Sequence, residues 1–254
     1  MSSPCSMWGS QLARDNARSH HSRPWSLAHG RGNRAFTLLE IIVVAGLVAA
    51  VSLAFVGRLG GGSRAVALDS AQRILVDVLT FARTRAAAGG CRVRVLVNAE
   101  PGDIAQFRRT LVVQQEASLE SNLWSDPLLE VTLPDGVYLL PYRSRIPPGF
   151  IADPAAWTRF NSTELLDSSA LSGAPQSLAI GAGALESWDV VQFTPAGTLS
   201  FGMGDLVLAS GNSRAPGVAL AGESQVQVTN PATVRGVSLS LYGLPVLIDD
   251  REGF

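Results

Sequence analysis

The stretch "AFTLLEIIVVAGLVAAVSLAFVG", residues 35 to 57, constrains this chain more than any other. From Ile41 to Gly57 it carries 17 consecutive uncharged residues, and counting back to Phe36 across Glu40 gives 22. At 1.5 Å of rise per residue, about 20 helical residues cover the roughly 30 Å of a bilayer's hydrocarbon core. A run this long with arginines on both sides does not suit a core helix, so the pattern predicts a transmembrane helix over 36–58. Arg31 and Arg34 precede it and the bulk of the chain follows. The positive-inside rule then places the N-terminus in the cytoplasm and residue 58 onward outside it.

Glu40 decides between two membrane readings. An ordinary secretory signal would use the small-x-small triplet Ser52-Leu53-Ala54 as its cleavage site and release a domain starting at Phe55. An ionisable residue inside an apolar stretch, however, costs a few kcal/mol at membrane depth and is kept where it has a task or a partner. A disposable apolar segment gains nothing from it.

A small residue, Ala35, followed by Phe36-Thr37-Leu38-Leu39-Glu40 and then an uninterrupted apolar helix, resembles the type III signal of type IV pilins and pseudopilins. The resemblance implies that prepilin peptidase cuts between Ala35 and Phe36 and methylates the new amino group of Phe36. It covers Arg34 to about Arg58, and glutamate as the fifth residue after the cut is its most specific element. Ala35 stands where the family usually has glycine, and the leader, 1–35, is long. Cutting after Gly32 would make the glutamate eighth, which breaks the spacing.

Physical chemistry gives that glutamate a role. In a helical stack of such subunits the amino group of Phe36 enters an apolar bundle, where an unpaired charge is very costly. A carboxylate about one helical turn away can pair with it, on the same chain or on a neighbour, so burial is tolerable only in register. Glu40 is thus expected to specify docking rather than to add bulk stability.

Composition narrows the function classes. The chain has 254 residues, 46% of them hydrophobic, enough for one globular domain plus an appended segment. All 20 basic residues are arginine, against 21 acids, and this near balance argues against a nucleic-acid binder. All three histidines (His20, His21, His29) and one of the two cysteines, Cys5, precede residue 36. Beyond the leader no imidazole is left for a Ser/His/Asp or Cys/His centre or for a zinc site. The remaining Cys91 reads as a small buried hydrophobe.

Arg58-Leu59-Gly60-Gly61-Gly62-Ser63 reads as a hinge, since three glycines form helix poorly. No Lys-Ser/Thr follows and no strand precedes, which excludes a phosphate-binding P-loop. From Arg64 to Ala88 the residues Leu68, Ala71, Leu75, Val78, Leu79 and Ala82 recur at spacings of three and four. That is the apolar stripe of an amphipathic helix, with Asp69, Arg73 and Asp77 opposite, Ser63 as N-cap and Gly89-Gly90 as the stop. Residues 59–90 are therefore hinge and amphipathic helix.

Alternation over 91–97 and 110–114, with turn residues between, predicts a hairpin under that helix. Further strands are expected at 128–133, 137–140, 189–194, 198–201, 206–209, 226–229, 237–241 and 246–248. Turns are expected at Pro134-Asp135-Gly136, Pro195-Ala196-Gly197 and Tyr242-Gly243. Residues 141–187 show no sustained period and read as a long surface excursion. Asp249-Asp250-Arg251-Glu252 lacks the ligand spacing of a calcium loop and reads as a solvated acidic tail.

A long hydrophobic helix continuing into an amphipathic one, then "FARTRAAAGGCRVRVLV" and a sheet, resembles the GspH/FimT group of minor pseudopilins. The expected fold is α+β and pilin-like: a long N-terminal helix, half transmembrane and half amphipathic, packed on an antiparallel sheet domain over 91–254. The resemblance implies a non-enzymatic, N-methylated subunit of a type II secretion pseudopilus. It would sit in the inner membrane with a single pass, its C-terminal domain periplasmic, before joining the pseudopilus. Implied partners are prepilin peptidase, other major and minor pseudopilins, the inner-membrane assembly platform and membrane lipid, with no nucleic acid, cofactor or metal. A minor pilin of a type IV pilus or DNA-uptake apparatus fits the same residues. So, from another class, does an extracytoplasmic domain released by cutting after Ala54.

Overall fold

The computed structural model describes residues 38–181, 183–201, 203–215, 217–219 and 222–254, with side chains described at 42–48 and from 63 onward within the helix. The expected leader and the Ala35–Phe36 bond lie outside the described residues. The chain divides into two units, Met1–Ala49 and Ala50–Phe254. In the first, the described residues belong to the opening turns of α1 (Leu38–Gly89).

Within the second unit α1 is helical through Gly60–Gly62, where the sequence suggests a hinge. Ser63 accordingly lies inside a helix rather than capping one. The expected stop is present: Gly90 adopts φ +61° and its N–H bonds the Ala86 carbonyl at 3.0 Å, the left-handed exit for which glycine is suited. All six stripe residues, Leu68 to Ala82, are buried, while Asp69, Arg73 and Asp77 face out.

Among the described residues ten strands follow: β1 (Val93–Asn98), β2 (Thr110–Gln115), β3 (Leu129–Thr132), β4 (Val137–Leu139), β5 (Gln176–Ala179), β6 (Leu185–Phe193), β7 (Gly204–Ser213), β8 (Val226–Val228), β9 (Val234–Leu239) and β10 (Pro245–Ile248). One sheet has the order β3-β2-β1-β6-β5, the other β10-β9-β7-β4 with β8 attached to β7. Every pairing between these strands is antiparallel. The α+β class and the first hairpin, with Val95 opposite Val113, match the sequence reading.

Alternation along the strands builds separate cores, because successive side chains leave opposite faces of a sheet. Val93, Val95 and Val97 of β1, Leu206 and Leu208 of β7, and Val237 and Leu239 of β9 all pack on the α1 stripe in one cluster. The intervening Val207 and Ala209 join a second cluster on the far face of the second sheet. Leu96, Val112, Trp188 and Val190 form a third.

Two expectations need correcting. Residues 141–187 are not a surface excursion: Phe150, Trp157, Leu166 and Leu171 are fully buried, and the first three fill the second cluster. Leu171 ends the 3-10 segment 169–171 and the other three lie on bends and irregular backbone, so their burial leaves no period in the sequence. The expected strand at 198–201 is reduced to one bridge, Leu199 opposite Phe193. The Thr194 and Ser200 N–H groups bond the Thr198 and Gln192 carbonyls on either side of that bridge, while the Leu199 N–H turns the other way, to the Leu241 carbonyl.

Candidate functional site

Glu40 lies on α1. Ala35 and Phe36 lie outside the described residues, and so do the side chains of Glu40 and Ala54. Just beyond Glu40 the helix can be read in full. All seven residues from Ile42 to Val48 are apolar and all are exposed, the five large ones at 53% to 62%. A helix apolar all round is a buried helix, and here none of the described residues covers it. Among the described residues, no helix is long and apolar enough to cross a membrane.

In the second unit the described buried charges other than Arg94 are paired with opposite charges. Asp189 of β6 is fully buried and receives Nη1 of Arg108, with Nη2 of Arg145 at 3.2 Å. Arg145 also donates to the carbonyls of Leu171 and Gly173, which ties the 141–173 segment to the sheets. Burial pulls the Arg108 pKa down and Asp189 pushes it back. A carboxylate clamped by two guanidinium groups braces the segments that carry them.

Glu116 accepts Nε of Arg92 at 2.8 Å and the N–H of Asn122 at 2.8 Å. The Arg92 bond above all holds its pKa at about 2. Arg94 has no carboxylate: it donates to Gln114 and Gln176 and lies 4.1 Å over the Trp124 ring, and burial lowers its pKa to about 10. Arg159 bridges Asp205 at 2.8 Å and Asp167 at 3.2 Å. Burial alone would lower its pKa, but those two partners outweigh it and raise it.

Besides a cleft of about 630 Å³ along Phe160 and Arg251, two others open on the second unit. The larger, about 840 Å³, is lined by the Arg159 network together with Arg143, Ser238, Met203 and Val246 among others. Next to it Leu241, Tyr242, Leu244 and Leu247 add exposed apolar surface at the β9–β10 turn. The smaller, about 540 Å³, is lined by Ile104, Arg109, Asp135, Tyr138, Asn212 and Ser213 among others. The sequence reading anticipated neither, since each joins segments far apart in the chain.

The other residues singled out in the sequence have local tasks. Asp250 accepts the N–H groups of Glu252 and Gly253 and caps the last 3-10 turn, while Arg251 donates to the Thr158 carbonyl. Asp249, Asp250 and Glu252 are exposed, so the solvated acidic end that the sequence suggests is also locally folded. Among the described residues no group of three His, Cys, Asp or Glu is placed to hold a metal. Cys91 is half-exposed, not buried, because β1 begins two residues later.

No family model matches the chain, and no curated protein does. Among solved structures it is similar to the type IV minor pilin FimU of Pseudomonas aeruginosa in two crystal forms, at 14% identity in each. These cover 71% of this chain and 87% and 92% of that one, with TM-scores of 0.38 and 0.37. It is similar also to the minor pseudopilin EpsH of the Vibrio cholerae type 2 secretion system, at 14% identity over 72% of this chain and 96% of that one, with a TM-score of 0.34.

Proposed function

We propose that this chain is a membrane-anchored subunit of a pilin-like filament, specifically a minor pseudopilin of a type II secretion system, with an assembly role and no catalysis. The observation that carries this is the all-round apolar, all-round exposed helix of residues 42–48, preceded within two residues by Glu40. Lipid shields such a surface before assembly, and neighbouring helices shield it afterwards. In this reading prepilin peptidase cuts between Ala35 and Phe36 and methylates Phe36, and Glu40 then pairs with that amino group. The folded part contributes rigid, internally braced surface for neighbouring subunits.

Mass spectrometry of the mature N-terminus tests the reading. A chain beginning with N-methylated Phe36 is the expected result. An unmethylated chain beginning at Phe55 would replace the filament subunit with a secreted domain cut after Ala54.

A further inference from the structure

β10 ends its sheet, and its place in the ladder fixes which backbone groups it leaves spare. The Ser240 N–H bonds the Leu244 carbonyl at 3.1 Å, and in an antiparallel ladder the hydrogen-bonded pairs recur at every second residue. The pairs 238–246 and 236–248 therefore carry the bonds to β9, while Leu247, opposite Val237, turns its N–H and carbonyl outward. Among the described residues nothing bonds to them. The other edge of the same sheet is closed. On β4 the Leu139 N–H goes to the Arg108 carbonyl at 2.9 Å and the Val137 N–H to the Pro134 carbonyl at 3.2 Å.

Open edges are commonly guarded by a charge within the strand, and β10, Pro-Val-Leu-Ile, has none. It offers apolar surface on both faces. Val246, 59% exposed, lines the 840 Å³ cleft together with Met203, and Leu247, 54% exposed, lies on the α1 side. Opposite charges stand at its two ends. Asp249 is exposed beyond Ile248. Before Leu244, Arg83 donates Nε to the Tyr242 carbonyl at 3.0 Å, and its Nη groups have no partner among the described residues.

Strand directions narrow the occupant. Along α1, Asp69 meets Arg235, Gln72 meets the Gly236 carbonyl and Arg83 meets the Tyr242 carbonyl. Helix and β9 therefore run the same way, and β10 runs against both. Two-fold pairing of β10 with a second copy would set the two α1 helices antiparallel and close the pair on itself, whereas a filament grows by head-to-tail contacts. A head-to-tail antiparallel contact with a second copy needs an open edge running along α1. In this sheet that edge is β4, which is closed.

We propose that β10 is a docking edge for an extended strand of a different filament subunit, laid antiparallel to it. That strand carries apolar side chains at alternate positions, a basic residue at its N-terminal end beside Asp249 and an acidic one at its C-terminal end beside Arg83. This rests on the filament reading and deepens it by naming the face and the mode of contact.

The test is amide hydrogen exchange of the full chain in mild detergent, with and without about 1 mM of a short synthetic peptide. The peptide alternates valine and threonine between an N-terminal arginine and a C-terminal glutamate. Exchange over 245–249 should slow by about threefold or more, and by less with the same residues in reverse order, which sets like charges together. Leu247→Pro deletes the outward N–H but no bond to β9, and proline is accepted on the solvent side of an edge strand, so it should abolish the slowing. If that variant loses its urea transition, Leu247→Lys, a charge at an exposed side chain, carries the same expectation. No slowing in the unaltered chain, equal slowing by both peptide orders, or full slowing in the folded variant overturns the proposal. Protection of 245–249 that rises with chain concentration without peptide also overturns it, because the occupant is then a second copy. The mature N-terminus keeps the two readings apart: a start at Phe55 defeats the filament reading, whereas N-methylated Phe36 with an indifferent edge defeats only the docking edge.

Discussion

Glu40, Asp189 and Glu116 are the same kind of group in three kinds of place, and legibility differs among them. Glu40 is readable because its meaning is a spacing from Phe36 along one helix. Asp189 is not, because its partner Arg108 lies 81 residues away and only the fold joins them. Removing one member of a buried charge cluster strands the others, so Asp189→Ala should lower stability by about 3–5 kcal/mol in urea unfolding followed by tryptophan fluorescence. A loss under about 1 kcal/mol would show that the brace is not one. Glu116 gives a pH signature. Its folded pKa of about 2 lies below the ordinary 4.5, held there first by Arg92. A depressed carboxylate pKa contributes stability that is fully present above the unfolded value and is lost as pH falls through the folded one. The stability advantage over Glu116→Gln should therefore shrink between pH 4.5 and 2. A gap that stays constant across that window would contradict it.

At the scale of elements, periodicity decided what could be read. The α1 stripe and the β1–β2 hairpin each repeat a rule over many residues, and both are where the sequence places them. The strand β5 is four residues long, unbranched at Cβ throughout, and lies at a sheet edge, so it carries little signal. Trp157 and Phe150 are buried by turns that follow no period at all. Turns were legible where glycine was required, as at Gly243 between β9 and β10, which adopts φ +69°. A Cβ there would come within 2.6 Å of the Gly197 carbonyl oxygen, so steric overlap adds to conformational strain. Gly181 has a similar φ of +60° but nothing within 4 Å of its absent Cβ. Gly243→Ala should therefore destabilise by roughly 1–3 kcal/mol more than Gly181→Ala, measured as the difference in urea unfolding free energy. Equal costs would mean that the close approach to Gly197 relaxes freely.

For the whole molecule, the sequence conveyed an apolar segment and an antiparallel body, but not the 540 Å³ cleft, which segments far apart in the chain bring together. It did convey one global property that makes the proposed assembly measurable. With 20 arginines and no lysine, the α-amino group is the only amine in the chain. Acylation by an amine-reactive reagent therefore reports on the N-terminus alone, with a stoichiometry of zero or one. If that amine is paired with Glu40 inside a filament, assembled subunits should resist acylation near neutral pH, and the same subunits dispersed in detergent should react fully. Glu40→Ala should still be cut and methylated, because the peptidase acts at Ala35 and Phe36, yet it should fail to enter the filament. Equal labelling of assembled and dispersed chains would rule out a buried amine. Normal incorporation of Glu40→Ala would rule out the carboxylate as its partner even if the amine proved buried, so the two measurements separate burial from pairing.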